Sequence, residues 1–362
     1  MKKISAEIVA DSVNEHGNRI TTFLLTFPRF ILAELNTHRM FSRNSASSRA
    51  VPVDKMIKAV RENTFCPFEF QKSHKGMQGS EYFTGAERKE CVKLWLESAE
   101  LALQQAEKMK AKGISKQIIN RILEPYQYYT ALVTATEFKD FFNLRCPKYE
   151  YYDMLTGNQQ FFKSKKDWLQ YYNNKPLPKA KHISKIPEND VEWLQINKSQ
   201  AEIHIQALAE AMWDAMNEST PKELKEGEYH IPFGDRVDEK ELNKLMPEIQ
   251  PASLNWYIEQ LNMLKLKIST ARCARLSYMT FDGEIDYGKD IQLHDRLLAG
   301  GHMSPFEHCA RVMSNEEYRT FIRGKCEVNP ISEEVISPVL NEGWCNNFKG
   351  FIQYRYLIEN KI

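Results

Sequence analysis

The densest group of chemically useful side chains lies at residues 37–49, THRMFSRNSASSR. There His38, Arg39, Arg43 and Arg49 stand among six hydroxyl or amide side chains: Thr37, Ser42, Asn44, Ser45, Ser47 and Ser48. Guanidinium groups offer paired donors to phosphate oxygens, and a Ser-rich loop adds hydroxyl and backbone N–H donors, so this composition suits an anion cradle. It suits a solvated surface loop equally, and residue types alone leave the two readings level. A second loaded stretch, GHMSPFEH at 301–308, carries His302, Ser304, Glu307 and His308. Either histidine also suits a structural role near a strand start, and two histidines six residues apart do not make a metal site. The chain has no HExxH, P-loop, GxGxxG or nucleophile elbow, so metalloprotease, NTPase, Rossmann and α/β-hydrolase chemistry find no support, and no metal is expected.

ISAEIVADS, the turn-prone NEHGN and ITTFLLTF predict a β-hairpin that ends at Pro28. RFILAELNTHR then places Ile31, Leu32 and Leu35 at helical spacing, a short helix leading into the polar loop FSRNSASSRAVP. Helices are predicted over 86–112 and 115–130, with Gly113 as a left-handed cap and Ser115 as the next N-cap. Residues 146–197, dense in Tyr, Lys, Asn and Pro, lack sustained periodicity and read as an insertion. A helix returns over 198–216, and 217–250 forms a charged, loop-rich connector. The final part, 251–362, carries STARCARLSY, an amphipathic KDIQLHDRLLAGG helix and a strand after Pro305. Residues 1–145 form the other, N-terminal part. Only GFIQYR, near the C-terminus, hints at a repeat, through an aromatic–Arg character shared with LNTHR.

The bulk numbers exclude whole classes. With 362 residues, 42% hydrophobic and 27% charged, the chain is long enough to bury a sizeable core. Its 49 Lys and Arg against 48 Asp and Glu leave no global field to attract nucleic acid or an anionic membrane. Seven scattered cysteines without a CxxC pair suit free thiols in a reducing compartment, and no apolar stretch reaches membrane-spanning length. A soluble, cytoplasmic protein is expected.

Four segments together resemble the flavin-dependent thymidylate synthases. That family carries RHRxxSxNExSxR; here Thr37, His38, Arg39, Ser42, Asn44, Ser45, Ser47 and Arg49 align, with Thr37 and Ser45 replacing the family Arg and Glu. GISKQIINRILEP resembles the segment whose Arg reaches the nucleotide phosphate, which falls on Arg121. FFNLR and the later SQAEIHIQALAEA resemble LxLR and AQxEIxxxA, which the family holds almost adjacent; here about fifty residues intervene. The flavin-contacting His that precedes this helix in the family aligns near Lys198. ARCARLSY with LHDRLLAGGHMSPFEH resembles a segment that precedes RHR in the family but lies near the C-terminus here. A circular permutation accounts for that order, because termini often lie close together.

The resemblance implies an α+β fold, an antiparallel-rich sheet packed against helices, permuted and with an insertion. It implies methylation of dUMP to dTMP with methylenetetrahydrofolate as carbon donor and NADPH as the reductant of bound FAD, in a homotetramer. By the same resemblance Arg145 and His302 are catalytic, and His38, Arg39, Asn44, Ser304 and Glu307 lie at the cofactors. Glu34, Ser47, Ser48, Arg49, Arg121 and Arg145 hold the nucleotide, Glu34 standing where the family usually has Gln. Thr37, Ser45 and the insertion also motivate a hydroxymethylated product. A non-catalytic nucleotide- or RNA-binding protein, using the Arg/Ser loop and the Tyr-rich insertion for stacking, is the reading from another class.

Overall fold

The structure, a computed structural model, describes residues 4–76, 79, 81–152, 156–174, 187, 189–246, 253–276, 286–323, 326–328, 335–338 and 343–362. Strands β1 (Ser5–Asn14) and β2 (Arg19–Pro28) form the expected hairpin. Its turn is tied by the Asn14 side chain, whose Oδ1 accepts from the His16 and Asn18 backbone N–H groups, while Gly17 supplies the positive φ. Strand β3 (Ser42–Ser45) pairs with β4 (Tyr128–Ala135), and β4 pairs with β2. The sheet order is β3, β4, β2, β1, then Lys222–Leu224, which is the parallel edge beside β1. The architecture is α+β and rich in antiparallel pairs.

Alternation along β2 and β4 decides what lies on each side of the sheet. Phe23, Leu25, Ala131 and Val133 face the helices Lys139–Arg145 and Ile203–Glu218, whose Phe141, Phe142, Ile205, Leu208, Ala209 and Met212 complete that core. The spacing 205, 208, 209, 212 is the apolar stripe that a helix needs to lie on a sheet. Leu24 and Leu132 face the other way, toward Phe233, Cys273 and Leu276. There the long helix Leu254–Arg275 packs with the helix Tyr287–Ala299, and a second apolar core joins Leu266, Ala274, Leu293, Leu297, Phe306 and Ile352. A three-stranded antiparallel sheet, Phe351–Gln353, Ala310–Val312 and Tyr229–His230, closes this side.

A buried polar chain bolts the two sides together. Ser12 meets His230 Nδ1 at 2.9 Å, His230 Nε2 meets Thr22 at 2.8 Å, Thr22 meets Thr134 at 2.8 Å, and Thr134 meets His308 Nδ1 at 2.8 Å. All five residues are at most 4% exposed. Complete burial pushes both imidazoles down to about 3, so they stand neutral and bond as ordinary donor–acceptor groups. His308 thus takes the structural role, with the Thr134 hydroxyl as its partner in place of a backbone group.

Two local expectations are corrected, and the segment 146–197 is given its elements. Residues 115–130 are not one helix: Lys116–Ile119 is a short helix, Asn120–Tyr126 a 3-10 turn containing Pro125, and Tyr128 already begins β4. Proline cannot supply an interior helical N–H, and the β-branched and aromatic residues after it favour the sheet. The loop FSRNSASSRAVP holds a strand, Ser42–Ser45, drawn into extended form by its ladder with β4. Residues 146–197 contain regular elements: a hairpin of Tyr149–Tyr152 with Gln159–Phe162, then helices Lys165–Asn173 and Asp190–Ile196. These bury their own cluster of Tyr149, Tyr151, Trp168 and Trp193. The segment's ends meet where Lys148 N–H donates to the Asn197 carbonyl at 2.9 Å.

The stretch 217–250 contributes to both sheets through Lys222–Leu224 and Tyr229–His230, and carries a short helix, Glu239–Asn243. Gly113 and Ser115 cap as expected, with φ +75° at the glycine and the Ser115 hydroxyl accepting from Gln117 N–H. Among the described residues no helix is long and apolar enough to cross a membrane.

Candidate active site

The basic loop is built on β3. Pairing with β4 sets the alternation, so Ser42 and Asn44 are buried, at 3% and 9% exposure. Both are held from the far end of the sequence. Asn44 Nδ2 donates to the Cys273 carbonyl at 2.6 Å, and Ser42 Oγ accepts from Asn347 Nδ2 and Gln353 Nε2, each at 3.0 Å. Ser304, in the 3-10 turn Ser304–Glu307, reaches the Arg43 carbonyl at 3.5 Å. The GHMSPFEH segment therefore lies against the Arg/Ser loop although some 260 residues separate them. Asn44 Oδ1 also accepts from Ser45 N–H at 3.1 Å, so this amide ties the loop backbone to the helix Leu254–Arg275. Glu307 pairs with Arg355 at 2.7 Å, and His302 is exposed on the turn that ends the helix Tyr287–Ala299.

At one end of the loop sit Glu34, Thr37, His38 and Arg145. Arg145 closes the helix Lys139–Arg145, where a cation complements the helix C-terminus. Its Nη2 donates to Thr37 Oγ1 at 2.7 Å and to the Glu34 carbonyl at 3.3 Å, and its guanidinium lies 5.0 Å from the centre of the Phe141 ring. Thr37, a departure from the family pattern, is thus the acceptor that aims this guanidinium. The His38 ring packs on Phe41 at 4.4 Å. Burial, reinforced by the Arg145 charge, lowers its pKa and favours the neutral ring. Two buried polar atoms here, Glu34 Oε2 and His38 Nε2, have no hydrogen-bond partner among the described residues. Native interiors rarely leave such atoms unpaired, so the pair marks spare bonding capacity beside a guanidinium.

At the other end Asn120, fully buried, donates through Nδ2 to the Ser48 and Val51 carbonyls at 2.7 and 2.9 Å, clamping the turn 47–51. Ser48 Oγ donates to Glu124 Oε1 at 2.5 Å, and Glu124 also pairs with Arg29 at 2.9 Å. The Ser48 hydroxyl is therefore engaged in holding the turn. Arg49 and Arg121 flank this clamp and are exposed, as is Arg39, and among the described residues none of the three forms an ion pair. Ser47 is half-buried, and its carbonyl accepts from Ala50 N–H at 2.9 Å.

Lys198 lines a cavity of about 350 Å3 with Phe30, Tyr82, Trp95 and His204, its Nζ lying 3.9 Å from the centre of the Tyr82 ring. The next residue, Ser199, donates to the Arg145 carbonyl at 3.4 Å, which ties this wall to the Arg145 end. Glu210, on the helix Ile203–Glu218, accepts from Lys165 N–H of the insertion at 2.7 Å, and burial raises its carboxyl to about 7.

Residue types had singled out the two Arg-bearing ends but not what holds them. Asn120, Glu124, Arg29, Asn347 and Gln353 are ordinary polar residues in sequence, and only the GFIQYR hint touches one of them.

Residues 7–168 match the family described as thymidylate synthase complementing protein, the family that the loop and the segments at Arg121 and Arg145 resemble. Among solved structures, the UMP/dUMP methylase PolB from Streptomyces cacaoi bound with 5-Br UMP is 18% identical, with a TM-score of 0.38 over 60% of this chain and 90% of that one. The same methylase bound with 5-Br dUMP is 16% identical, with a TM-score of 0.32 over 40% of this chain and 80% of that one. No curated protein matches.

Proposed function

From the match of residues 7–168 to the thymidylate synthase complementing protein family, we propose that this chain is an enzyme that methylates dUMP at C5 to give dTMP. It uses methylenetetrahydrofolate, NADPH and FAD, and works as a homotetramer. The observation that carries the reading is the Arg145 end of the loop, where a buried guanidinium lies beside two unpaired polar atoms, Glu34 Oε2 and His38 Nε2. This set fits the edge of a uracil ring, which offers both donors and acceptors.

Arg145 orients the ring and favours negative charge developing on it as N3–H ionises, because a fixed guanidinium in a shielded site stabilises charge without reorganising. Thr37 holds that guanidinium in place. The neutral His38 ring and the Glu34 side chain complete the polar edge. Arg49 and Arg121, with Ser47, bind the phosphate at the clamped turn, and Ser48 acts through that turn by its bond to Glu124. Arg39, Ser304 and His302 are exposed beside the loop and would hold the flavin or the folate, while Asn44 and Glu307 shape the wall behind them. Bound FAD, once reduced by NADPH, would supply the hydride, and the protein binds, orients and shields.

A product stopped at the hydroxymethyl stage rests on the altered surroundings of Arg145 and uses the same residues. For the non-catalytic RNA-binding reading, Tyr149 and Tyr151 are buried and offer no stacking face, which leaves Tyr152 and Phe161 as the exposed aromatics among the described residues of the insertion.

The test is an absorbance spectrum of purified protein with FAD, a dUMP titration, and product analysis with all three co-substrates. A flavin band that shifts with dUMP, followed by dTMP formation, is expected. 5-Hydroxymethyl-dUMP alone would select the second reading, and failure to bind either FAD or dUMP would overturn both.

A further inference from the structure

We infer that Asn347 and Gln353 are positioning residues for the nucleotide loop; this rests on the function proposed above. The two side chains form one amide pair, Gln353 Nε2 donating to Asn347 Oδ1 at 2.6 Å. Together they place three N–H bonds on the loop's strand: two to Ser42 Oγ and one from Asn347 Nδ2 to the Met40 carbonyl at 3.1 Å. Ser42 and Met40 lie between His38 and Asn44, so the pair sets the path of the chain that joins the Arg145 end of the loop to the phosphate end. Neither amide is free to bind substrate, because both are committed to each other and to the loop.

The pair is mounted rigidly. Asn347 sits in the turn between Trp344–Cys345 and Phe348–Lys349, where Asn346 adopts φ +56° and donates back to Gln353 Oε1 at 3.5 Å. Two bonds then anchor this hairpin to the main sheet: Lys349 N–H to Thr136 Oγ1 at 2.9 Å, and Asn14 Nδ2 to the Gly350 carbonyl at 3.1 Å. Gly350 is required at that contact. Its φ is +72°, and a Cβ there would stand 2.3 Å from Asn14 Nδ2 and 2.4 Å from Asn18 Oδ1. The β1–β2 turn, the C-terminal hairpin and the loop are therefore locked in sequence, and the hairpin governs the path of the loop through its two amides.

The test compares Asn347→Asp and Gln353→Glu, which keep shape and remove the N–H donors, with the wild type. The expected result is a nucleotide KM and Kd raised about tenfold, the effect of losing a buried hydrogen bond, with kcat within about twofold. Hydrogen exchange at amides 40–46 should rise while that of β1 and β2 stays unchanged, and Ser42→Ala should remove most of the further effect of Gln353→Glu. Unchanged exchange at 40–46, or kcat and kcat/KM falling equally, overturns the inference. The exchange measurement needs no ligand, so it stands even where the wild type binds no dUMP, an outcome that sinks the proposed function alone. A global rise in exchange in both variants also counts against a local positioning role.

Discussion

Two buried polar regions flank the same pair of central strands, and they differ in how completely the protein satisfies them. In the chain Ser12–His230–Thr22–Thr134–His308 each residue bonds to the next inside the protein, and only His308 Nε2 is left over. At Glu34, His38 and Arg145 the guanidinium is aimed by Thr37, yet Glu34 Oε2 and His38 Nε2 face no partner. The first region ties β1, β2 and β4 to the C-terminal side and leaves a single ring nitrogen over. The second keeps bonding capacity in reserve next to an exposed, basic loop. The difference lies in how much bonding capacity stays unused beside a charged group rather than in residue type, since histidines occur in both.

The comparison breaks most visibly at Arg145. Arg145→Ala should lower dTMP formation by about two to three orders of magnitude, the scale of losing a fixed charge-stabilising group, while a thermal melt shifts modestly. A large loss of stability with dUMP affinity intact would move Arg145 into the structural class. The converse variant is His230→Ala, which leaves the Ser12 and Thr22 hydroxyls without their shared partner. It should cost about 3 kcal/mol in denaturant unfolding, combining lost packing with unpaired groups, and leave nucleotide affinity per folded molecule unchanged.

Acid sharpens the same distinction. His230 and His308 are held neutral, pushed down to about 3, whereas in the unfolded chain each takes up a proton below about pH 6.5. Below that pH the unfolded state binds more protons, so stability is full above it and falls as pH drops toward 3. The slope approaches about 1.4 kcal/mol per pH unit for each imidazole. Denaturant titrations from pH 7 to pH 4 should show this loss, and it should shrink by about half in His308→Gln. A pH-independent midpoint would mean that the histidines are less completely enclosed.

The smallest effects belong to the exposed end of the loop. Arg49→Ala and Arg121→Ala should each weaken dUMP binding about tenfold, as expected for a charge-assisted bond to phosphate, without moving the melting temperature. Deoxyuridine, which lacks the phosphate, should bind the wild type and these variants alike. An equal loss for both ligands would place the two arginines away from the phosphate.

Much of this arrangement was legible in the residues. The β-branched run ITTFLLTF, broken by NEHGN and Pro28, marked the first hairpin because turn chemistry and strand preference agree there. The stripe in the helix Ile203–Glu218 and the caps at Gly113 and Ser115 were equally local. Where local signals conflicted, the reading failed. The helix expected over 115–130 ran across Pro125 into what is a buried strand, and the Ser-rich loop carries no period-2 hydrophobic signal for β3, because its buried residues are the polar Ser42 and Asn44.

What the sequence by itself determined is the chemistry available: the Arg/Ser loop, Arg121, Arg145 and the GHMSPFEH segment, each a short run of neighbouring residues whose types can be read without a fold. Tertiary structure alone decided which of those groups meet and which are already committed. Ser304 reaches Arg43, Thr37 aims Arg145, Glu124 occupies Ser48, and Asn347 with Gln353 holds Ser42. The physical reason is that a hydrogen bond between residues 261 or 311 positions apart leaves no periodicity in either segment. It exists only once the sheet has brought both strands to one place and burial has made an unpaired amide or hydroxyl costly.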